Sequence, residues 1–66
     1  MIFVNGEPRE RDGATIAELL VELGVEDRAR GVAVAVDGEV VPRAQWDTTS
    51  LEAGARVEVV QAIQGG

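Results

Sequence analysis

Apolar residues recur in this chain with two different periods, and the change of period divides it into elements. At the start, Met1-Ile2-Phe3-Val4-Asn5 is β-prone, Gly6-Glu7-Pro8 is a turn signal, and Arg9-Glu10-Arg11-Asp12-Gly13 reads as a short polar edge strand closing at Gly13. The expectation is an N-terminal hairpin. From Thr15 the spacing changes: Ile16, Leu19, Leu20 and Leu23 fall at i, i+3, i+4 and i+7. Glu18, three residues after Thr15, completes a capping box, and Gly24 stands where a left-handed residue ends a helix. This predicts a two-turn helix from about Ile16 to Leu23, with its Leu/Ile stripe buried and Glu18 and Glu22 in water.

After a polar connection from Val25 to Gly31, Val32-Ala33-Val34-Ala35-Val36 alternates large and small side chains with period two, the mark of a strand with unequal faces. Asp37-Gly38 is the strongest hairpin signal in the chain, and Glu39-Val40-Val41 is the return strand, stopped by Pro42. The pattern is irregular from Arg43 to Ser50 around Trp46. Leu51-Glu52-Ala53-Gly54 is a turn leading into the longest strand, Arg56 to Ile63, after which the chain ends Gln64-Gly65-Gly66. The order is ββαβββ, an α+β fold in which one amphipathic helix covers one face of a sheet. Residues 1–63 form the domain and 64–66 a flexible tail. By parity Ile2, Val4, Val32, Val34, Val36, Val57 and Val59 face the helix, whereas Phe3, Ala33, Ala35, Val60 and Ala62 fall on the open face.

Composition narrows what such a domain can do. Of 66 residues, 45% are apolar and 27% charged, a balance that favours a packed fold over disorder. A domain of this size buries only about 60% of its unfolded surface, which leaves little wall for an enclosed substrate pocket. There is no Cys and no His, so nucleophilic triads, disulfides and zinc sites are excluded, and no cofactor or metal is expected to be bound. Twelve acidic residues against six basic ones give a net charge of −6, the wrong sign for nucleic-acid binding. That charge either aids solubility or steers the chain toward a basic partner. All six basic residues are Arg (Arg9, Arg11, Arg28, Arg30, Arg43 and Arg56), so no side-chain amine is available for Schiff-base chemistry or conjugation. With no signal-peptide pattern and no long apolar run, a membrane role is not expected, and the expected compartment is the cytoplasm.

Candidate chemistry lies at the end of the chain. Gln64-Gly65-Gly66 follows a long strand directly, and taken alone it is open to two readings. One is a loose terminus of the common Gly-rich kind. The other is chemical. A terminal glycine carboxylate has no Cβ beside it, so it can enter a narrow partner cleft, and with an ordinary pKa of about 3.3–3.7 it is ionised and able to attack a nucleotide phosphate. Two further residues stay open at this level. Trp46 is either a core or loop anchor or a binding residue, and Arg43 either pairs with nearby acids or contacts a partner.

The ββαβββ order with this terminus resembles the β-grasp fold of ubiquitin-like sulfur carriers, most closely the ThiS family of thiamine biosynthesis. The residues that carry the likeness are Ile2-Phe3-Val4-Asn5-Gly6-Glu7-Pro8, Thr15-Ile16 through Leu19-Leu20, Val34-Ala35-Val36-Asp37-Gly38-Glu39-Val40-Val41-Pro42-Arg43-Ala44-Gln45-Trp46, and Gly65-Gly66. Val41-Pro42-Arg43 with Trp46 three residues on is the most discriminating part, because a Gly-Gly end is also found in ubiquitin and in molybdopterin-type carriers. Asp37 stands where the family commonly has Asn.

The resemblance implies a protein co-substrate that is not itself an enzyme. Gly66 would be adenylated by a ThiF-like, E1-type adenylyltransferase using ATP and Mg²⁺, a persulfide sulfur donor would replace AMP to leave a thiocarboxylate, and that sulfur would pass to a ThiG-like thiazole synthase. Gln64 and Gly65 would form the tail that carries Gly66 into the partner's site. Phe3, Val60 and Ala62 would form the partner-contact surface, since the first and last strands of a β-grasp sheet are neighbours. Sulfur carriers for molybdopterin or amino-acid biosynthesis, and a ubiquitin-like modifier or interaction module, are the alternative readings of the same terminus.

Overall fold

The computed structural model describes residues 1–25 and 31–61. Five strands and one α-helix follow in the expected order: β1 (Ile2–Val4), β2 (Glu7–Arg9), α1 (Ile16–Glu22), β3 (Val32–Val36), β4 (Glu39–Val40) and β5 (Arg56–Gln61), with a 3₁₀ turn at Arg43–Gln45 before β5. The strands form a single mixed sheet in the order β2-β1-β5-β3-β4. β1 and β5 run parallel and the other pairs are antiparallel.

The helix begins as its sequence dictates. Glu18 N–H donates to Thr15 Oγ1 at 3.1 Å, and Thr15 N–H donates to Glu18 Oε1 at 2.9 Å, the reciprocal pair of a capping box. Two more amide donors of the first turn are taken up outside the helix, Ile16 N–H by Thr49 O and Ala17 N–H by Trp46 O. The loop around Trp46 is thus the seat of the helix N-terminus. At the other end Gly24 takes φ 80 and donates to Val21 O, while Val25 N–H donates to Leu20 O, closing the helix with a Schellman motif.

Ile16, Leu19 and Leu20 pack against Ile2, Val4, Val34 and Val57 to make the core, as parity requires. Val32, Val36, Val59 and Leu23 are only half-buried against it, because they lie where the short helix ends or the sheet outruns it. Trp46, Leu51 and Ala55 join the same packed cluster. Leu51 belongs to a segment read as a turn, yet its side chain is fully buried, and its backbone N–H donates to Ala14 O.

The first hairpin differs from expectation: it turns earlier and its return strand begins two residues sooner. Its loop is Asn5-Gly6, with φ 50 and 87, and the return strand is Glu7–Arg9, not residues 9–13. Positive φ at both residues is the type I′ geometry that matches strand twist, and Asn-Gly suits it best. In this register Phe3 lies opposite Pro8, between the pairs Val4 with Glu7 and Ile2 with Arg9. The pair beside a two-residue turn exchanges hydrogen bonds, so the Phe3–Pro8 pair does not, and proline fits an edge strand there without losing a ladder bond. Residues 10–13 form a loop, tied down by Gly13 N–H donating to Leu51 O at 2.7 Å and by an Arg11–Glu22 ion pair. The second hairpin turns at Asp37-Gly38 as expected, with φ 50 and 86.

Leu20 has no solvent exposure and sits at the centre of the helix contact with the sheet. Leu20→Ala is expected to lower unfolding free energy by on the order of 2–5 kcal/mol. A small core of this kind supplies a total of about 3–5 kcal/mol. Denaturant melts should therefore show a much lower midpoint for the variant, and a midpoint equal to the parent's would contradict this packing.

Candidate functional site

β5 is the central strand of the sheet and the one that leads to the end of the chain. Its backbone is gripped from both sides by the two hairpin turns. On the β1 side, Val59 N–H donates to Asn5 Oδ1 at 2.9 Å and Asn5 Nδ2 donates to Val59 O at 3.2 Å. On the β3 side, Arg56 N–H donates to Asp37 Oδ1 at 3.0 Å, and Asp37 N–H donates to Arg56 O at 2.8 Å. Both turn residues have φ 50, a left-handed conformation that Asn and Asp tolerate better than other non-glycine residues. A shallow groove runs over β5 between the turns, lined by Phe3 and Asn5 on one side, Asp37 and Gly38 on the other, and Arg56 and Glu58 beneath.

The open face of the sheet carries the expected contact residues, but not as one cluster. Phe3 is 38% exposed and pairs with Arg56 at the start of β5, whereas Val60 is 61% exposed and pairs with Ala33 near the end of that strand. Four residues of strand separate the two levels, roughly 13 Å, with Arg56 beside Phe3 and Glu58 on the same face between them. Ala33 is exposed and Ala35 half-buried, the latter because it is flanked by Glu58 and Val40 on both neighbouring strands. Val40, 74% exposed, joins this face through its pairing with Ala35. The apolar strip on the open face is therefore Val60, Ala33, Ala35 and Val40, with Phe3 apart from it. The parity of Val40 is readable only once the Asp37-Gly38 register is known. Ala62, Gln64, Gly65 and Gly66 lie outside the described residues, as does the expected boundary between domain and tail.

Trp46 resolves toward the core. It is buried to 4% exposure, and its indole Nε1–H donates to Val41 O at 2.9 Å. The Arg43 guanidinium lies 5.8 Å from the centre of the Trp46 ring, a cation–π contact on the solvent side. Together these bonds fix the corner between β4 and the helix seat. Among the described residues no three His, Cys, Asp or Glu side chains are grouped to hold a metal ion, and no helix is long and apolar enough to cross a membrane.

Comparison with known proteins gives a consistent result. A model of the ThiS family matches residues 2–66. A sulfur carrier protein ThiS of Thermus thermophilus is 42% identical over 66 residues, covering 100% of both chains. A thiazole synthase of Paramagnetospirillum magneticum is 36% identical over 66 residues, which cover 98% of this chain and 20% of that protein. Among solved structures, the crystal structure of a thiamine biosynthesis protein (ThiS) from Geobacter metallireducens superposes with a TM-score of 0.75 at 38% identity, covering 98% of this chain and 97% of that one. The ubiquitin-like β-grasp assignment thus agrees with the observed sheet order and its parallel β1–β5 pair.

Replacing Trp46 with Phe keeps an aromatic ring but leaves the Val41 carbonyl without its donor. Trp46→Phe is expected to cost about 1–3 kcal/mol in denaturant unfolding. Stability equal to the parent's would show that the indole bond does not hold the corner.

Proposed function

The chain belongs to the ThiS family of sulfur carriers in thiamine biosynthesis, and on that premise we propose that Gly66 is the residue whose carboxylate is activated and loaded with sulfur. The observation that carries this reading is the position of β5: the central strand, held on both sides, heads toward Gly66 five residues beyond Gln61. Five residues span at most about 17 Å. That is enough to enter a partner's active site while the folded domain docks outside it.

The chemistry divides between carrier and partners. An E1-type adenylyltransferase binds ATP and Mg²⁺, and a Gly66 carboxylate oxygen attacks the α-phosphorus, so that the bond to pyrophosphate breaks and an acyl-adenylate forms. The terminal sulfur of an enzyme persulfide then attacks the Gly66 carbonyl carbon and AMP leaves. A second enzyme thiol cleaves the resulting acyl disulfide, becomes part of a disulfide itself, and leaves the thiocarboxylate on Gly66. This chain has no thiol, so all three sulfur atoms in that exchange, the two of the persulfide and that of the second thiol, are the partners'. Glycine at the terminus and before it keeps Cβ atoms away from the reacting carbonyl.

Thiazole synthase is the proposed acceptor. The likeness to a stretch within a protein of that name supports it. The open sheet face, with its apolar strip at Val60, Ala33 and Val40, is the proposed docking surface for the activating enzyme, because exposed apolar residues so grouped mark contact sites. The carrier holds no cofactor of its own in this scheme and works in the cytoplasm.

Two sets of variants test the proposal. Deleting Gly66 shortens the reach by about 3.5 Å. Appending one residue turns the reactive carbonyl into an ordinary peptide bond. Both should leave melting unchanged and abolish ATP–pyrophosphate exchange with the activating enzyme, since a 1 Å misplacement already costs about a hundredfold. Val60→Asp should fold like the parent and bind the enzyme more weakly, because a charge is then desolvated against an apolar surface. Undiminished exchange by the shortened or extended chain would contradict the role of Gly66, and undiminished binding by Val60→Asp would contradict the docking face.

A further inference from the structure

We propose that Asn5 is a positioning residue for the reactive end of the carrier, its side-chain amide standing in for a peptide unit that β1 no longer supplies to β5. The proposal rests on the carrier reading above and concerns how that end is presented. In a parallel ladder, alternate residues of one strand donate to and accept from successive groups of the other. Phe3 N–H donates to Ala55 O at 2.9 Å, and Asn5 N–H donates to Val57 O at 2.8 Å. The next rungs require a carbonyl to accept from Val59 N–H and an N–H to donate to Val59 O. At Asn5 the backbone takes φ 50 and turns into the hairpin, away from β5. The side chain fills both rungs: Oδ1 accepts from Val59 N–H and Nδ2 donates to Val59 O.

Only one residue type meets every demand made at this position. The amide is a donor and an acceptor at peptide-like spacing, and Asn tolerates the left-handed conformation that the I′ turn imposes. Asp keeps the conformation and the acceptor but sets a carboxylate against the Val59 carbonyl. Gly keeps the conformation and supplies neither group. On its other edge β5 stays paired with β3 as far as Gln61. The bonds of Asn5 to Val59 are thus the last hold on the β1 edge of β5 among the described residues, and Val59 stands seven positions before Gly66.

Releasing that hold frees one edge of the strand from which the end of the chain departs. A terminus that leaves from a loosened strand searches a larger volume, so the effective concentration of its carboxylate in a partner's site falls. The chemical step, once the carboxylate is seated, is unchanged. The signature is a rise in KM for the carrier with kcat preserved.

The experiment uses the full chain, with Asn5→Gly and Asn5→Asp as variants and Ala17→Gly as a control that weakens α1 instead. Amide hydrogen exchange at Val59, relative to that at Val57, should rise about tenfold in Asn5→Gly, which loses the acceptor, rise less in Asn5→Asp, which keeps it, and stay at the parent's value in the control. In adenylation assays KM for the carrier should rise about three- to tenfold with kcat within about twofold, and the control should lose melting temperature without a change in KM. Unchanged Val59 exchange, or a loss confined to kcat, would overturn the proposal. A parent chain that the enzyme fails to adenylate would overturn the carrier reading and the positioning role with it, while the exchange data still decide whether Asn5 holds the strand.

Discussion

The packing of α1 across β1, β5 and β3 is the contact on which the rest of the molecule depends. Ile16, Leu19 and Leu20 meet Ile2, Val4, Val34 and Val57, and each such side chain contributes about 1.5–3 kcal/mol when fully buried. One short helix can cover only one face of a five-stranded sheet. The same contact that creates the core therefore leaves the opposite face open, with Val60 and Val40 in solvent. It also places β5 in the middle, where its neighbours hold it on both edges.

That arrangement suits a protein whose part in the chemistry is to present its own end. A chain of 66 residues without Cys, His or Lys has no thiol, imidazole or side-chain amine to bring to that chemistry. What the fold provides is a central strand held on both edges, from which the sequence runs on to Gly66. The two hairpin turns serve this directly. Each puts a left-handed Asn or Asp beside β5 and uses its side chain on the β5 backbone. Turn chemistry and strand anchoring are thus the same residues.

Much of the fold is legible in the sequence because its signals are local. The capping box at Thr15 and Glu18, Gly24 after the helix, and Asp37-Gly38 between two valine-rich runs each specify their element within a few residues. The first hairpin carries the same kind of signal at Asn5-Gly6, but Pro8 nearby reads as a turn residue until its edge position and register are known. Leu51 stands alone among polar residues, with no periodicity to announce its burial, and its environment comes from distant segments. The Asn5 contact with Val59 spans 54 positions, so no local pattern could reveal it. The separation of Phe3 from Val60 follows likewise from the register of β1 on β5, which parity alone does not give. The family likeness, by contrast, is carried by residues spread over nearly the whole chain, from Ile2 to Gly66.

The central claim is that the end of this chain is the substrate. Its most direct test is the intact mass of the full protein after incubation with ATP, Mg²⁺, the activating enzyme and a persulfide donor, followed by mapping of the C-terminal fragment. The account predicts a gain equal to one sulfur replacing one oxygen, located at Gly66 and dependent on ATP. An unchanged mass, or sulfur found anywhere else in the chain, would contradict it.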